Sequence, residues 1–183
     1  MALAININDL LNKQKIESNR IEFKKGWNPG SIYHSICAFA NDFDDLGGGY
    51  IIAGVDTDDQ TGMAIRLAEG LPMEKIDNIL QEMVGYNNKM APYYLPRTSV
   101  EEVDGKLLIV IWCPAGSYRP YSVPVNVTAK GTKEYFYIRS GTSSIEARGE
   151  ALVELRELAN RIPFDERGNS DIQLEDISLV LLR

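Results

Sequence analysis

The sequence predicts an α/β (α+β) domain: a mixed, mostly antiparallel sheet with helices packed against it. Three observations predict it. Short runs that alternate apolar and polar, or are wholly apolar, recur along the chain, at residues 21–24, 50–55 and 107–112. Between them lie segments with apolar residues at helical spacing, Ile32, Ile36, Phe39 and Ala40 in one and Ile76, Ile79, Leu80 and Met83 in another. Asp104-Gly105 joins two strand patterns, which is a strong hairpin signal. The length of 183 residues suits one domain, and 44% hydrophobic content is enough to build its core.

Taken in order, Asn6 or Asn8 caps a short helix through Leu10 and Leu11. Ser18-Asn19-Arg20 is a polar turn that folds Glu17 back toward Glu22. In the strand that follows, Ile21 and Phe23 point into a core, while Glu22 and Lys24 share the opposite face. Residues 24–30 form a loop in which Lys24 and Lys25 stand beside Trp27. The lysines suit a phosphate and the indole a stacked base; the plainer reading is a solvated loop with Trp27 folded onto the core. A helix runs from Ser31 to about Asp42. Gly47-Gly48-Gly49 then turns into a central, apolar strand from Tyr50 that ends on Asp56. Ligands gather where strands end in open α/β sheets.

Residues 62–65 form a short strand in a hairpin with the central one. A helix spans about Met73 to Val84, stopped by Gly85 or by Asn87-Asn88. Residues 98–103 and 106–113 are the paired strands. The loop over residues 114–124 holds Arg119 between aromatic residues, as a phosphate or base contact or as a loop anchor. Residues 125–129 read as a short strand, 130–133 as a basic turn and 134–139 as a strand. Lys130, Lys133 and Arg139 are the best local basic cluster outside Lys24-Lys25. Ser143 or Ser144 caps a final helix over about 147–161, with Leu152, Leu155 and Leu158 inward. The domain spans residues 1–162. An acidic linker and the start of a further element occupy 163–183, as in a fragment of a longer protein.

Composition narrows the function. The formal net charge of −7 counts against nucleic-acid binding by bulk electrostatics, so a local basic surface or a bridging metal is required. No apolar run is long enough to span a membrane, and the N-terminus has no leader pattern. Cys37 and Cys113 make no disulfide framework, so a reducing cytoplasm is expected. With His34 the only histidine, there is no His-based triad, and no zinc site is expected. Neither a Walker A nor a G-x-G-x-x-G pattern is present, so there is no nucleotide motif.

Glu22 beside Lys24 suits metal-assisted phosphodiester chemistry. The carboxylate would hold Mg²⁺ or Mn²⁺, and the lysine an attacking water or a phosphate oxygen. The plainer reading is an exposed same-face pair of little energetic value, with Asp56 merely opening a polar turn.

The ordered set Glu17-Ser18-x-x-x-Glu22-Phe23-Lys24, Ala38-Phe39-Ala40-Asn41 and Gly48-Gly49-Tyr50-Ile51-Ile52-x-Gly54-Val55-Asp56 resembles the Schlafen-type AlbA-like domain. Gly62, Arg119-Pro120-Tyr121 and Tyr137-x-Arg139-x-Gly141-Thr142 extend the likeness over roughly residues 10 to 160. The resemblance implies a nucleic-acid-binding module of a bacterial transcriptional regulator or helicase-related protein. It also implies a second reading. In some animal members the domain is an endoribonuclease with three carboxylates, which by motif are Glu17, Glu22 and Asp56 here. Two departures stand out: the animal zinc site is missing, and residues 42–46 add acid that would repel nucleic acid. Animal members pair two lobes in one chain. One lobe without an internal repeat therefore implies a homodimer. A third reading is a non-catalytic sensor or dimerisation domain, with Trp27, Tyr93, Tyr94 and Trp112 as its apolar surface.

Overall fold

A computed structural model describes residues 18–160 other than 59, together with residues 6, 7 and 11. Its elements are β1 (Ile21–Lys24), α1 (Pro29–Asn41), β2 (Gly48–Ala53), α2 (Met73–Asn87), β3 (Arg97–Val103), β4 (Lys106–Pro114), β5 (Ser122–Pro124), β6 (Glu134–Ser140), β7 (Ser143–Glu146) and α3 (Glu150–Asn160). The main sheet has the order β1-β2-β4-β3, and β5-β6-β7 form a second sheet. Among these strands only β1 and β2 pair in parallel, with Glu22 opposite Ile51; all other pairs are antiparallel. The predicted mixed, mostly antiparallel α/β architecture is what the chain adopts.

α1 lies between the sheets. It packs on β2 and β4 on one side and on β5, β6 and β7 on the other. Ile32, Tyr33, Ile36 and Phe39 join Ile51, Ile109, Ile111, Val123 and Tyr137 in one core. The reverse face of the main sheet puts Ile21, Phe23, Ile52, Leu108 and Val110 against Ile7 and Leu11. Two covered faces explain why β2 and β4 are apolar without alternation. Ile7 and Leu11 are helical and buried, as a helix turn apart requires; Asn8 and Leu10 lie outside the described residues. Tyr33 ties α1 to α2, its hydroxyl donating to Met83 O at 3.0 Å and Asn87 Oδ1 at 2.7 Å.

Boundaries moved where tertiary partners decided them. α1 starts two residues early because the Asn28 side chain accepts from Ser31 N and Pro29 occupies the first helical turn. α2 passes Gly85 and stops at Asn87-Asn88, the second of the two expected ends, and Asn87 has a buried partner in Tyr33. Gly48 and Gly49 belong to β2, not to a turn. Gly49 passes so close to α1 that a Cβ there would sit 2.2 Å from Phe39 Cε1. The strand ends at Ala53 because Gly54 takes φ +106°, so Asp56 is not its last residue but lies beyond it.

Residues 62–65 make isolated bridges, Thr57 to Ala64 among them, rather than a strand. Residues 125–129 are not a strand either: Asn126 Oδ1 accepts from Thr128 N and Oγ1 and bends the chain, and the strand lies earlier, at β5. Ser143 and Ser144 do not cap the last helix. They pair in β7 with Ser140 and Arg139, and α3 begins at Glu150. The added acid after Asn41 is partly internal. Asp42, itself in the left-handed region at φ +43°, accepts backbone N–H groups from Leu46, Gly47 and Gly48 and so organises the turn into β2. No helix of the described residues is long and apolar enough to cross a membrane. Residues 163–183 fall outside the described residues.

Candidate nucleic-acid interface

The alternation of β1 sends Ile21 and Phe23 under the sheet and Glu22 and Lys24 toward α1. Glu22 is not the exposed partner of a surface pair. It is 5% exposed, and two cations share its carboxylate. Lys24 Nζ stands 2.5 Å from Oε1 and Arg139 Nη1 2.5 Å from Oε2. Arg139, on β6, also donates to Ser144 Oγ at 2.9 Å and Ser18 O at 3.1 Å, and its guanidinium lies 4.8 Å from the centre of the Phe39 ring. Ser144 Oγ donates to Ser35 Oγ at 3.1 Å, and Ser35 Oγ is 3.2 Å from Ser31 O.

These groups border an open cavity of about 340 Å³. Glu22 and Lys24 form its floor, Ser31, His34 and Ser35 its α1 wall, and Thr142, Ser143 and Ser144 its β6–β7 wall. Two cations against one carboxylate leave one net positive charge beside five hydroxyl side chains. Hydroxyls and ammonium groups together are donors for phosphate oxygen.

His34, on the α1 wall, is shifted toward its neutral form. Burial lowers its pKa from the ordinary value. That outweighs the carbonyls of Val125 and Pro124, which favour the charged form, while Lys24 disfavours it. The ring stacks on Tyr137 with centroids 4.1 Å apart, and Nε2 donates to Val125 O at 3.0 Å. Because the folded pKa lies below the unfolded one, the unfolded chain takes up the proton first as pH falls. Stability from this group is therefore complete above about pH 6.5 and is lost as pH drops through the lower folded value. Urea midpoints should fall across that window in the wild type and stay flatter in His34→Phe, which keeps the ring. An equal fall in both would remove His34 as the cause.

The other predicted site residues separate. Glu17 lies outside the described residues. Asp56 pairs with Lys25 at 2.9 Å, and Lys25 also holds Glu69 at 2.9 Å. The Lys25 hydrogen bond draws the Asp56 pKa below the usual carboxylate range, and Glu69 and Asp56 together raise that of Lys25. Among the described residues, Glu22 and Asp56 share no cation. No group of three His, Cys, Asp or Glu able to hold a metal occurs among the described residues.

Arg119 anchors its loop: Nη1 donates to Asp42 O and Asp45 Oδ1, both at 3.0 Å, at the carbonyl end of α1. The cluster of Lys130, Lys133 and Arg139 is divided, since the lysines are exposed and Arg139 is buried. Of the four aromatic residues expected as apolar surface, Tyr93 is exposed, Tyr94 is buried on Pro114 O, Trp112 stacks on Tyr50, and Trp27 is half-buried.

Sequence reasoning missed the hydroxyl walls and the wall position of His34. The only signal was Thr142, inside the Tyr137-x-Arg139-x-Gly141-Thr142 pattern. It also gave no role to Asn41, which stands in the Ala38-Phe39-Ala40-Asn41 pattern. The amide of Asn41 is wholly buried, donating to Tyr121 O at 2.9 Å and Tyr137 O at 2.8 Å and accepting from Tyr121 N at 2.6 Å.

Comparison with curated proteins returns no match. A solution NMR structure of the N-terminal domain of a RecG-related protein from Nitrosomonas europaea shares 25% identity, with a TM-score of 0.48 over 73% of this chain and 81% of that one. A crystal structure of a protein from Corynebacterium diphtheriae shares 21% identity, with a TM-score of 0.44 over 70% of this chain and 22% of that much longer one. The sequence signature described as Schlafen, AlbA_2 matches residues 17–148, which include β1, the cavity and its β6–β7 wall. This chain belongs to the Schlafen AlbA_2 family.

Proposed function

We propose that this domain is a nucleic-acid-binding module that takes a backbone phosphate in the cavity between β1, α1 and the β6–β7 turn. One observation carries the reading. In a chain of net charge −7, the Glu22 carboxylate is shared by Lys24 and Arg139, so the cavity keeps a positive charge, beside the Thr142 and Ser143 hydroxyls. Exposed Lys130 and Lys133 add attraction at the surface. Attached to a longer parent, the module would bring a bacterial transcriptional regulator or helicase-related protein to nucleic acid in the cytoplasm. Its single lobe suits a homodimer; a monomer in sedimentation at high concentration would remove that part.

A metal-dependent endoribonuclease is the second reading, favoured by Glu22 and Lys24 opening together on the cavity. A Mg²⁺ or Mn²⁺ ion at Glu22 would have to displace one of its two cations. Binding and cleavage of structured RNA and duplex DNA, followed with Mg²⁺, Mn²⁺ or EDTA, separate the two. Lys24→Ala is expected to weaken binding on the order of ten-fold and to lower the salt slope by about one. Unchanged affinity in that variant would sink the phosphate assignment. Metal-dependent cleavage that disappears in Glu22→Gln would establish the nuclease.

A further inference from the structure

The end of β1 and the loop that follows it line two cavities. Lys24 lines the one described above; Lys25, Gly26 and Trp27 line the other, of about 520 Å³, which α2 closes with Lys75, Asn78 and Glu82. That volume falls in the range of small-ligand pockets, roughly 300–1,000 Å³, so it admits a nucleobase. Trp27 is held as a wall of this cavity. Its ring packs against the main core and its Nε1 donates to Glu82 Oε2 at 3.0 Å. Lys25 is engaged by Asp56 and Glu69 and offers mainly its stem. Lys75 and Asn78 are different: both are exposed, and their side chains make no hydrogen bond or ion pair among the described residues. The cavity thus combines a fixed aromatic wall, an amide able to donate and accept, and an uncommitted ammonium group.

We propose that this second cavity takes an unpaired base of the strand whose phosphate sits at Lys24. The base stacks on Trp27, its edge meets the Asn78 amide, and an adjoining phosphate lies near Lys75. The proposal rests on the nucleic-acid reading and names the substrate class as single-stranded or looped nucleic acid. Lys24 and Lys25 are consecutive in the chain and each lines one of the two cavities. A duplex cannot use the second cavity without unstacking a base, which costs energy that an unpaired strand does not spend.

The test compares a labelled single strand of about eight nucleotides with the duplex of the same sequence, using the full chain and fluorescence anisotropy. The expected result is tighter binding of the single strand. Trp27→Ala should weaken it about ten-fold or more, Trp27→Phe should weaken it less, and neither should change duplex affinity. Trp27 also packs on the core, so Asn78→Ala, on the exposed face of α2, supplies the variant that misfolding cannot explain. It too should weaken the single strand alone. In a Trp112→Phe background, quenching of the remaining tryptophan should accompany single-strand binding.

Equal affinity for single strand and duplex, with no loss in Asn78→Ala and no quenching, would overturn this inference while a Lys24→Ala effect left the phosphate site standing. A free mononucleotide bound as tightly as the oligonucleotide would also overturn it, assigning the cavity to a small ligand. Absence of binding to either nucleic acid would overturn both.

Discussion

Arg139→Ala is expected to lower the unfolding free energy by about 3–5 kcal/mol, the cost of leaving a buried charge without its partner. The side chains of Arg139 and Glu22 are 5% and 6% exposed, so solvent cannot take over the missing hydrogen bonds. Lys24 remains beside Glu22, which places the expected loss nearer the lower end. Arg139→Lys should recover only part of it. One ammonium group cannot reach Glu22, Ser144 and Ser18 as the planar guanidinium does. The double variant Glu22→Gln/Arg139→Met should be more stable than Arg139→Ala, because it removes the buried carboxylate together with its buried cation and leaves only the more exposed Lys24 without a partner. Urea unfolding measures all three. A loss below about 1 kcal/mol would mean that the pair behaves as a surface ion pair. On the nucleic-acid reading, Arg139→Ala should also weaken binding by the protein that stays folded, because Lys24 and Glu22 alone leave no net positive charge in the cavity.

Asn41→Ala is expected to cost about 3–5 kcal/mol, the sum of several buried groups left unsatisfied at about 1–3 kcal/mol each. The Tyr121 N–H and the carbonyls of Tyr121 and Tyr137 would lose their partner at once, at a position with no access to water. Asn41→Asp should be no better, because a carboxylate cannot donate to either carbonyl and would be buried charged or forced to protonate. Thermal or urea unfolding decides it. A change under about 1 kcal/mol would show that the surrounding backbone finds other partners. Asn41 joins the end of α1 to the loop before β5 and to β6, so its loss should also loosen the β6–β7 wall of the cavity.

The elements whose shape is local were legible in the sequence. Asp104-Gly105 marked the β3–β4 hairpin because that dipeptide accepts the backbone angles a tight turn needs, and Asp104 and Gly105 both have positive φ. The apolar runs of β2 and β4, and the helical spacing of Ile32, Ile36 and Phe39, reported burial directly, since periodicity states which face of an element avoids water. Family membership was readable for the same reason: its motifs lie within or beside these elements. The strand ends were less legible. Gly49 belongs to β2 because it pairs with Cys113 of β4, with Phe39 leaving no room for a side chain, and Asp56 lies past the strand because Gly54 turns the chain; neither contact is written in the local pattern.

The site was the least legible part. Alternation correctly put Glu22 and Lys24 on one face, but it could not say what that face meets. The partner that turns Glu22 from a surface carboxylate into a buried anion is Arg139, 117 residues away, and the hydroxyl walls come from residues 31–35 and 142–144. Periodicity along the chain determined the fold class and the elements. The charge state, burial and donor set of the cavity depend on which distant residues surround it, and only the packing of α1 between two sheets decided that.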